Sequence, residues 1–235
     1  MLLSRAQYPV IEKLVQRTFR AAFVGREYPG HLLEVDVLVS AGNAHMLSDL
    51  CFTHGKLSRT QVIKYPIQPI NYVMIGVISD THDNMEAMDK AVRFFNNKKV
   101  EFVVFAGDFV TPLSVEPLKN LECPLKGIFG NNEGDKVNVN RKLSEVGAEF
   151  SDFLEMEHDD RKIAVYHGHN PNILDALVKS GKYDIVIAGH THTPETTVEG
   201  KTMLLNPGEC CGYLTGIRTI ATLDLKEMKA EIHEL

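Results

Sequence analysis

The chain has 235 residues, 44% of them hydrophobic, 24% charged and 8% aromatic, which suits one sizeable core or one domain with an appendage. Its 25 Lys and Arg against 31 Asp and Glu leave a net charge of −6, which excludes the broad basic field that dominates nucleic-acid and anionic-membrane binding, so an anionic substrate must meet cations local to its site. Four cysteines without Cys-x-x-Cys spacing exclude a disulfide framework, and no apolar run approaches the roughly 20 residues of a membrane-spanning helix.

Residues 1–73 differ in charge from the rest. They carry eight Lys and Arg against five Asp and Glu, whereas 74–235 carry 17 against 26. Apolar residues at 10, 11, 14, 15 and 19 predict an amphipathic helix over 10–23, and 32–39 reads as a strand between Pro29 and Pro66. The opening Met1-Leu2-Leu3-Ser4-Arg5 runs into Gln7, Glu12 and Lys13 rather than a continuous apolar stretch, which argues against secretion, and Glu12 and Glu27 argue against a transit peptide. A cytoplasmic protein with reduced Cys51, Cys123, Cys210 and Cys211 is expected, the adjacent Cys210-Cys211 pair serving in packing. Met74 offers an alternative start, from which a domain over 74–235 would begin directly with a buried strand; residues 1–73 are then an extension of start-site origin or poor order.

From Val73 onward short β-branched runs alternate with helical patterns. Residues 73–79, 101–106, 124–129, 162–166 and 184–188 read as strands. Asn84 caps a helix with Met85, Met88, Val92 and Phe95 on one face, and Asn170 with Pro171 opens another that ends at Gly181. That alternation predicts an α/β fold. The tail, over 195–205 and 216–232, reads instead as antiparallel strands and hairpins.

Polar clusters follow the five strands immediately: Asp80-Thr81-His82, Gly107-Asp108, Gly130-Asn131-Asn132-Glu133, His167-Gly168-His169 and Gly189-His190-Thr191-His192. Strand C-terminal ends gather on one rim of an α/β sheet, the usual place for a ligand, so residues far apart in the chain converge there. A lone Asp-x-His or Gly-Asp reads as a turn or a helix cap, and a lone Gly-His-Thr-His, though a stronger signal, as surface histidines. Five together do not, since 74–235 holds seven His and five of them fall in these clusters, four at the ligand positions His82, His167, His190 and His192. Two Asp, one Asn and four His form an oxygen and imidazole set suited to first-row divalent cations. Seven ligands exceed one ion and suit two, about 3.5–4 Å apart across a shared carboxylate, with a bridging water acidic enough to act as hydroxide.

Asp80-x-His82, Gly107-Asp108, Gly130-Asn131, His167 and Gly189-His190-x-His192, in this order, resemble the calcineurin-like metallophosphoesterases, and more closely their small archaeal and bacterial phosphodiesterase branch. The resemblance covers 74–235. It implies a four-layer α/β sandwich of two mixed sheets flanked by helices. It also implies that Asp80, His82, Asp108 and His192 hold one metal and Asp108, Asn131, His167 and His190 a second, with Asp108 as the bridge. The ions would be Mn, Ni, Co, Fe or Zn. The family's Asn-Pro-Gly turn is matched by Asn206-Pro207-Gly208, read as structural, with Glu209 where a serine often follows. His169 faces the same rim, where a second-layer or substrate-facing role and a plain surface histidine weigh equally.

The departure from the family lies at Asn132, where many relatives carry a histidine that helps the leaving group. Asparagine donates a hydrogen bond to a phosphate oxygen but delivers no proton at neutral pH. The expected activity is metal-dependent phosphodiester hydrolysis, with monoester hydrolysis as the alternative. A non-catalytic scaffold like the retromer subunit of the same fold is the reading from another class. All seven ligand positions are filled here, which favours the enzyme. A phosphoester substrate is expected, with no membrane partner, no dedicated nucleic-acid patch and room for a homo-oligomer.

Overall fold

The computed structural model describes residues 73–235. The helix expected over 10–23, the strand over 32–39, Cys51 and the start-site reading lie outside the described residues.

The five predicted strands form, each trimmed at its ends: β1 (Met74–Ile78), β2 (Val103–Phe105), β3 (Leu125–Ile128), β6 (Arg161–Val165) and β7 (Ile185–Ile187). Two further short strands, β4 (Phe150–Ser151) and β5 (Leu154–His158), lie between β3 and β6. The tail supplies two hairpins, β8 (Glu195–Glu199) with β9 (Thr202–Asn206) and β10 (Thr219–Asp224) with β11 (Lys229–Glu234). These elements make two mixed sheets. The first has six strands in the order β11-β10-β1-β2-β3-β4, parallel from β1 to β4, and the second has five in the order β5-β6-β7-β9-β8, parallel from β6 through β9. The tail is therefore antiparallel within its hairpins, yet β9 extends the parallel core of the second sheet.

Alternation along each strand sorts side chains into layers. Ile75, Val77, Val104 and Ile128 from the first sheet meet Ile163, Val165, Ile185, Ile187, Met203 and Leu205 from the second in an interior between them. Ile78, Val103 and Phe105 point the other way, against α1 (Met85–Lys98) and α3 (Lys136–Leu143), and α2 (Val115–Leu118) joins this outer layer. The opposite outer face, Ala164, Val186 and Leu204, is covered by α4 (Pro171–Lys179) through Leu174, Leu177 and Val178. Strands buried on both faces read as unbroken apolar runs, which is why the sequence pattern located them. The result is a four-layer α/β sandwich.

Caps follow the sequence as well. The Asn84 side chain accepts from Ala87 N at the start of α1, and Asn170 accepts from Asn172 N at the start of α4. Among the described residues no helix is long and apolar enough to cross a membrane.

Candidate metal centre

All five polar clusters leave the C-terminal ends of parallel strands. Asp80 and His82 follow β1, Asp108 follows β2 and Asn131 and Asn132 follow β3, all in the first sheet; His167 and His169 follow β6 and His190 and His192 follow β7 in the second. The chain turns so sharply there that Asp80, His82, Asp108, His190 and His192 all adopt left-handed backbone, with φ between 40° and 68°. Such φ is uncommon for residues with a side chain and persists only where surrounding contacts hold it. Gly107, at φ 102°, has no such cost, and a Cβ there would come within 2.5 Å of His167 Nδ1.

Asp108 is the hub. It is buried, and its Oδ1 accepts from the backbone N–H of Asn131 and of Asn132, each at 3.0 Å, while Asn132 Nδ2 donates to Oδ2 at 2.6 Å. His167 Nε2 lies 3.3 Å from Oδ1 and His82 Nε2 lies 3.5 Å from Oδ2. Asp80, fully buried, accepts from His190 N and faces His192 Nε2 at 3.5 Å and His82 Nε2 at 4.0 Å. Asp80, His82, Asp108 and His192 thus each offer a ligand atom within 4.8 Å of the others, and His82, His192 and Cys211 form a second, overlapping group. Asp108 and His167 meet on the side away from His82, and the His190 ring stands 5.2 Å from the His167 ring. Asn131 is exposed and reaches Asp108 through its backbone.

Electrostatics follow from this crowding. Burial would raise Asp108, but the His167 imidazole and the Asn132 donors outweigh it and hold the carboxyl well below the usual range. Asp80 goes the other way: burial prevails over its Ser79 hydrogen bond and the nearby imidazoles, and the Asp108 charge adds to the rise. Two carboxylates in one desolvated pocket repel unless a cation joins them. The imidazoles are prepared for one. His167 Nδ1 is fixed by the Ala106 carbonyl at 2.8 Å, and the buried Nε2 atoms of His167 and His82 have no hydrogen-bond partner among the described residues. Bare imidazole nitrogens beside two carboxylates are a donor set that fits a divalent cation.

The two residues considered for substrate contact lie at the margin. Asn132 is exposed, with its amide committed to Asp108. His169 is exposed, 3.4 Å from the Tyr166 hydroxyl, its ring 6.1 Å from His167 and 6.5 Å from His190.

Three supports shape the loops. The Asn206 amide donates to the Gly189 carbonyl and the Thr191 hydroxyl and accepts from Gly208 N, so the Asn-Pro-Gly turn pins the Gly-His-Thr-His loop. Glu133, buried, accepts from Phe109 N at 2.7 Å and Gly130 N at 2.8 Å, tying the loop after β2 to the loop after β3. Glu209 is fully buried, and its Oε2 lies 2.7 Å from His192 Nδ1. Burial opposes ionisation of Glu209, but His192, the Thr215 hydroxyl and the Thr215 and Leu214 N–H groups bring its pKa down to about 2. The sequence marked Glu133 and Glu209 only by position. The available signals were a carboxylic acid directly after Asn131-Asn132 and another in the place where a serine often follows the Asn-Pro-Gly turn.

Comparison with known proteins bears on this site. Residues 73–228 match the calcineurin-like phosphoesterase superfamily domain. A phosphodiesterase of Methanocaldococcus jannaschii is 40% identical over 163 residues, covering 68% of this chain and 97% of the relative. A probable metallophosphoesterase of the same organism is 34% identical over 163 residues, covering 66% of this chain and 77% of that one. Among solved structures, that of an archaeal phosphodiesterase superposes with a TM-score of 0.67 at 38% identity over 69% of this chain and 99% of its own. Vps29 of Chaetomium thermophilum, at 15% identity, 69% and 95% coverage and a TM-score of 0.51, shares the fold alone. With its two-sheet sandwich, its strand-end clusters and a domain match over most of its length, the chain belongs to the calcineurin-like phosphoesterase superfamily, hydrolases of phosphoester bonds.

Proposed function

We propose that residues 74–235 form a metal-dependent phosphodiesterase with a dinuclear centre. In this reading Asp80, His82, Asp108 and His192 hold one divalent ion, drawn from Mn, Ni, Co, Fe or Zn. Asp108, Asn131, His167 and His190 hold the second. The observation that carries it is the convergence of four ligand atoms from three strand ends within 4.8 Å, with bare imidazole nitrogens on either side of Asp108. When bound, such a pair supplies Lewis acidity that activates water and offsets charge on a phosphoryl centre.

The chain's own groups do the rest. Asp108 is held in one orientation by three donors from Asn131 and Asn132, so both of its oxygens stay turned to the imidazoles. Asn132 stands at the rim as a hydrogen-bond donor without a proton to give, and His169, exposed beside Tyr166, is an imidazole on that rim outside the proposed ligand set. A preference for diesters is supported by the 40% identical relative that is named a phosphodiesterase. The free thiols of Cys123, Cys210 and Cys211 suit a cytoplasmic setting.

The test is a panel of mono- and diesters assayed with Mn, Ni, Co, Zn and Mg after chelation. Diester hydrolysis restored by at least one metal is expected. Activity confined to monoesters would reassign the substrate. Inactivity with every metal, together with no metal uptake, would return the chain to the scaffold reading.

A further inference from the structure

Glu209 collects donors from every side. Its Oε2 accepts from Cys211 Sγ at 3.1 Å, Tyr213 N at 3.1 Å and Leu214 N at 3.1 Å, and its Oε1 accepts from Leu214 N at 3.0 Å and from the N–H and hydroxyl of Thr215. Backbone N–H groups can only donate, so both oxygens of this carboxyl group are engaged as acceptors, while the Thr215 hydroxyl also reaches the Ile217 carbonyl at 3.0 Å. The seventh contact, His192 Nδ1 at 2.7 Å from Oε2, must then also be a donor. With Nδ1 as the donor, the imidazole lone pair falls on Nε2, the atom that faces Asp80 at 3.5 Å.

We propose that Glu209 is a positioning residue: it fixes the His192 imidazole in the Nδ1–H tautomer, turns Nε2 to the metal, and couples that ligand to the 213–215 backbone. This rests on the reading of His192 as a metal ligand. A carboxylate behind a ligating imidazole sets both the orientation and the basicity of the ring. Glu209 differs from a solvent-exposed partner because its geometry is inherited from the loop. Three consecutive N–H groups, of Tyr213, Leu214 and Thr215, wrap the carboxylate while the Tyr213 and Leu214 side chains stay exposed. Order in that loop and orientation of His192 are therefore one structural variable. By reciprocity, a cation that holds His192 also slows opening of the loop.

The experiment has three arms on the full chain. Nitrogen-15 spectra of the metal-free protein, with the His192 signals assigned through His192→Ala, report the tautomer directly. The native ring should show a protonated Nδ1 and a bare Nε2, and Glu209→Gln should shift the ring towards the other tautomer, a change that a merely structural role would not produce. Competition titration of Mn²⁺ against a chelating indicator should show affinity falling about 10- to 100-fold in Glu209→Gln. Hydrogen exchange at Tyr213, Leu214 and Thr215 should slow when Mn²⁺ is added to the native chain and should not respond to Mn²⁺ in Glu209→Gln. A native His192 protonated on Nε2 overturns the proposal, and that measurement needs no variant of Glu209 to fold. If His192→Ala loses Mn²⁺ while Glu209→Gln binds it as tightly as the native chain, the positioning role alone falls. If His192→Ala binds Mn²⁺ undiminished, His192 is no ligand and the metal reading falls with it.

Discussion

Gly130 gives the sharpest mutational test of the site. A methyl group built there would collide with Asp108 Oδ1 and stand 2.5 Å from the Asp108 backbone nitrogen, where real Cβ contacts essentially never fall below 3.0 Å. Gly130→Ala must therefore push the Asp108 carboxylate aside by about 1 Å or more, breaking its bonds from Asn131 N and Asn132 N. Overpacking of this kind costs about 1–3 kcal/mol. For a domain of this size that corresponds to roughly 2–4 °C in Tm per kcal/mol. A displacement of about 1 Å at a reacting centre costs on the order of 10²-fold in rate. Gly134→Ala is the matched control, since a Cβ there meets nothing within 4 Å. Scanning calorimetry, metal content and hydrolysis of an aryl diester should separate the two variants, with Gly134→Ala close to native in all three. A Gly130→Ala protein that keeps its metal and its rate within about twofold of native would show that Asp108 does not sit where the chemistry occurs.

Four further outcomes are expected. Asp108→Ala should lower bound metal, by elemental analysis, more than His82→Ala or His190→Ala does, because Asp108 is assigned to both ions. Asn206→Ala removes the pin on the Gly-His-Thr-His loop and should cost about 1–3 kcal/mol in denaturant unfolding, with weaker metal retention. A missing general acid at Asn132 should make the rate depend steeply on leaving-group pKa across substituted phenyl diesters. Asn132→His should flatten that slope, and a slope already shallow in the native protein would point to His169 instead. His233, far from the site, is held below its usual value near 6.5 by burial against Phe94 and by the Lys98 charge. Its folded pKa is depressed, so the stability it contributes is complete above pH 6.5 and is lost as pH falls through the folded value. His233→Asn should remove that dependence from acid titrations of Tm.

The sequence was legible where burial was two-sided. β1, β2, β3, β6 and β7 are apolar on both faces and end in polar clusters, so both the strands and the rim could be read from pattern. One-sided or exposed elements gave no such signal. α3 buries only Val139 and Leu143 along its length, β5 alternates Leu154, Glu155, Met156 and Glu157 but has no fully buried residue, and β8 is exposed throughout and exists because its hairpin pairs it with β9. Within the site, residue types and spacings named the groups that converge, but not the left-handed turns that aim them. The contacts of Glu209 were hidden for a different reason. Its partners Tyr213, Leu214 and Thr215 act through backbone N–H groups, which any sequence possesses. Glu133 was hidden because Phe109, which it binds, lies 24 residues away.

The position of β10 bears on the order in which this protein matures. β10 lies beside β1 in the six-stranded sheet, although nearly the whole domain separates them in sequence. Cys210 N and Cys211 N bond the carbonyls of Ser79 and Asp80, the residues just beyond β1. During synthesis Asp80 emerges long before His192 and Glu209, and the edge of β1 stays unpaired until residues 219–224 arrive. Contacts of such span form late, since the entropy of closing the chain is lost before they are made. The neighbourhood of Asp80 is thus completed only by residues far along the chain, His190 and His192 after β7 and Cys210 and Cys211 after β9.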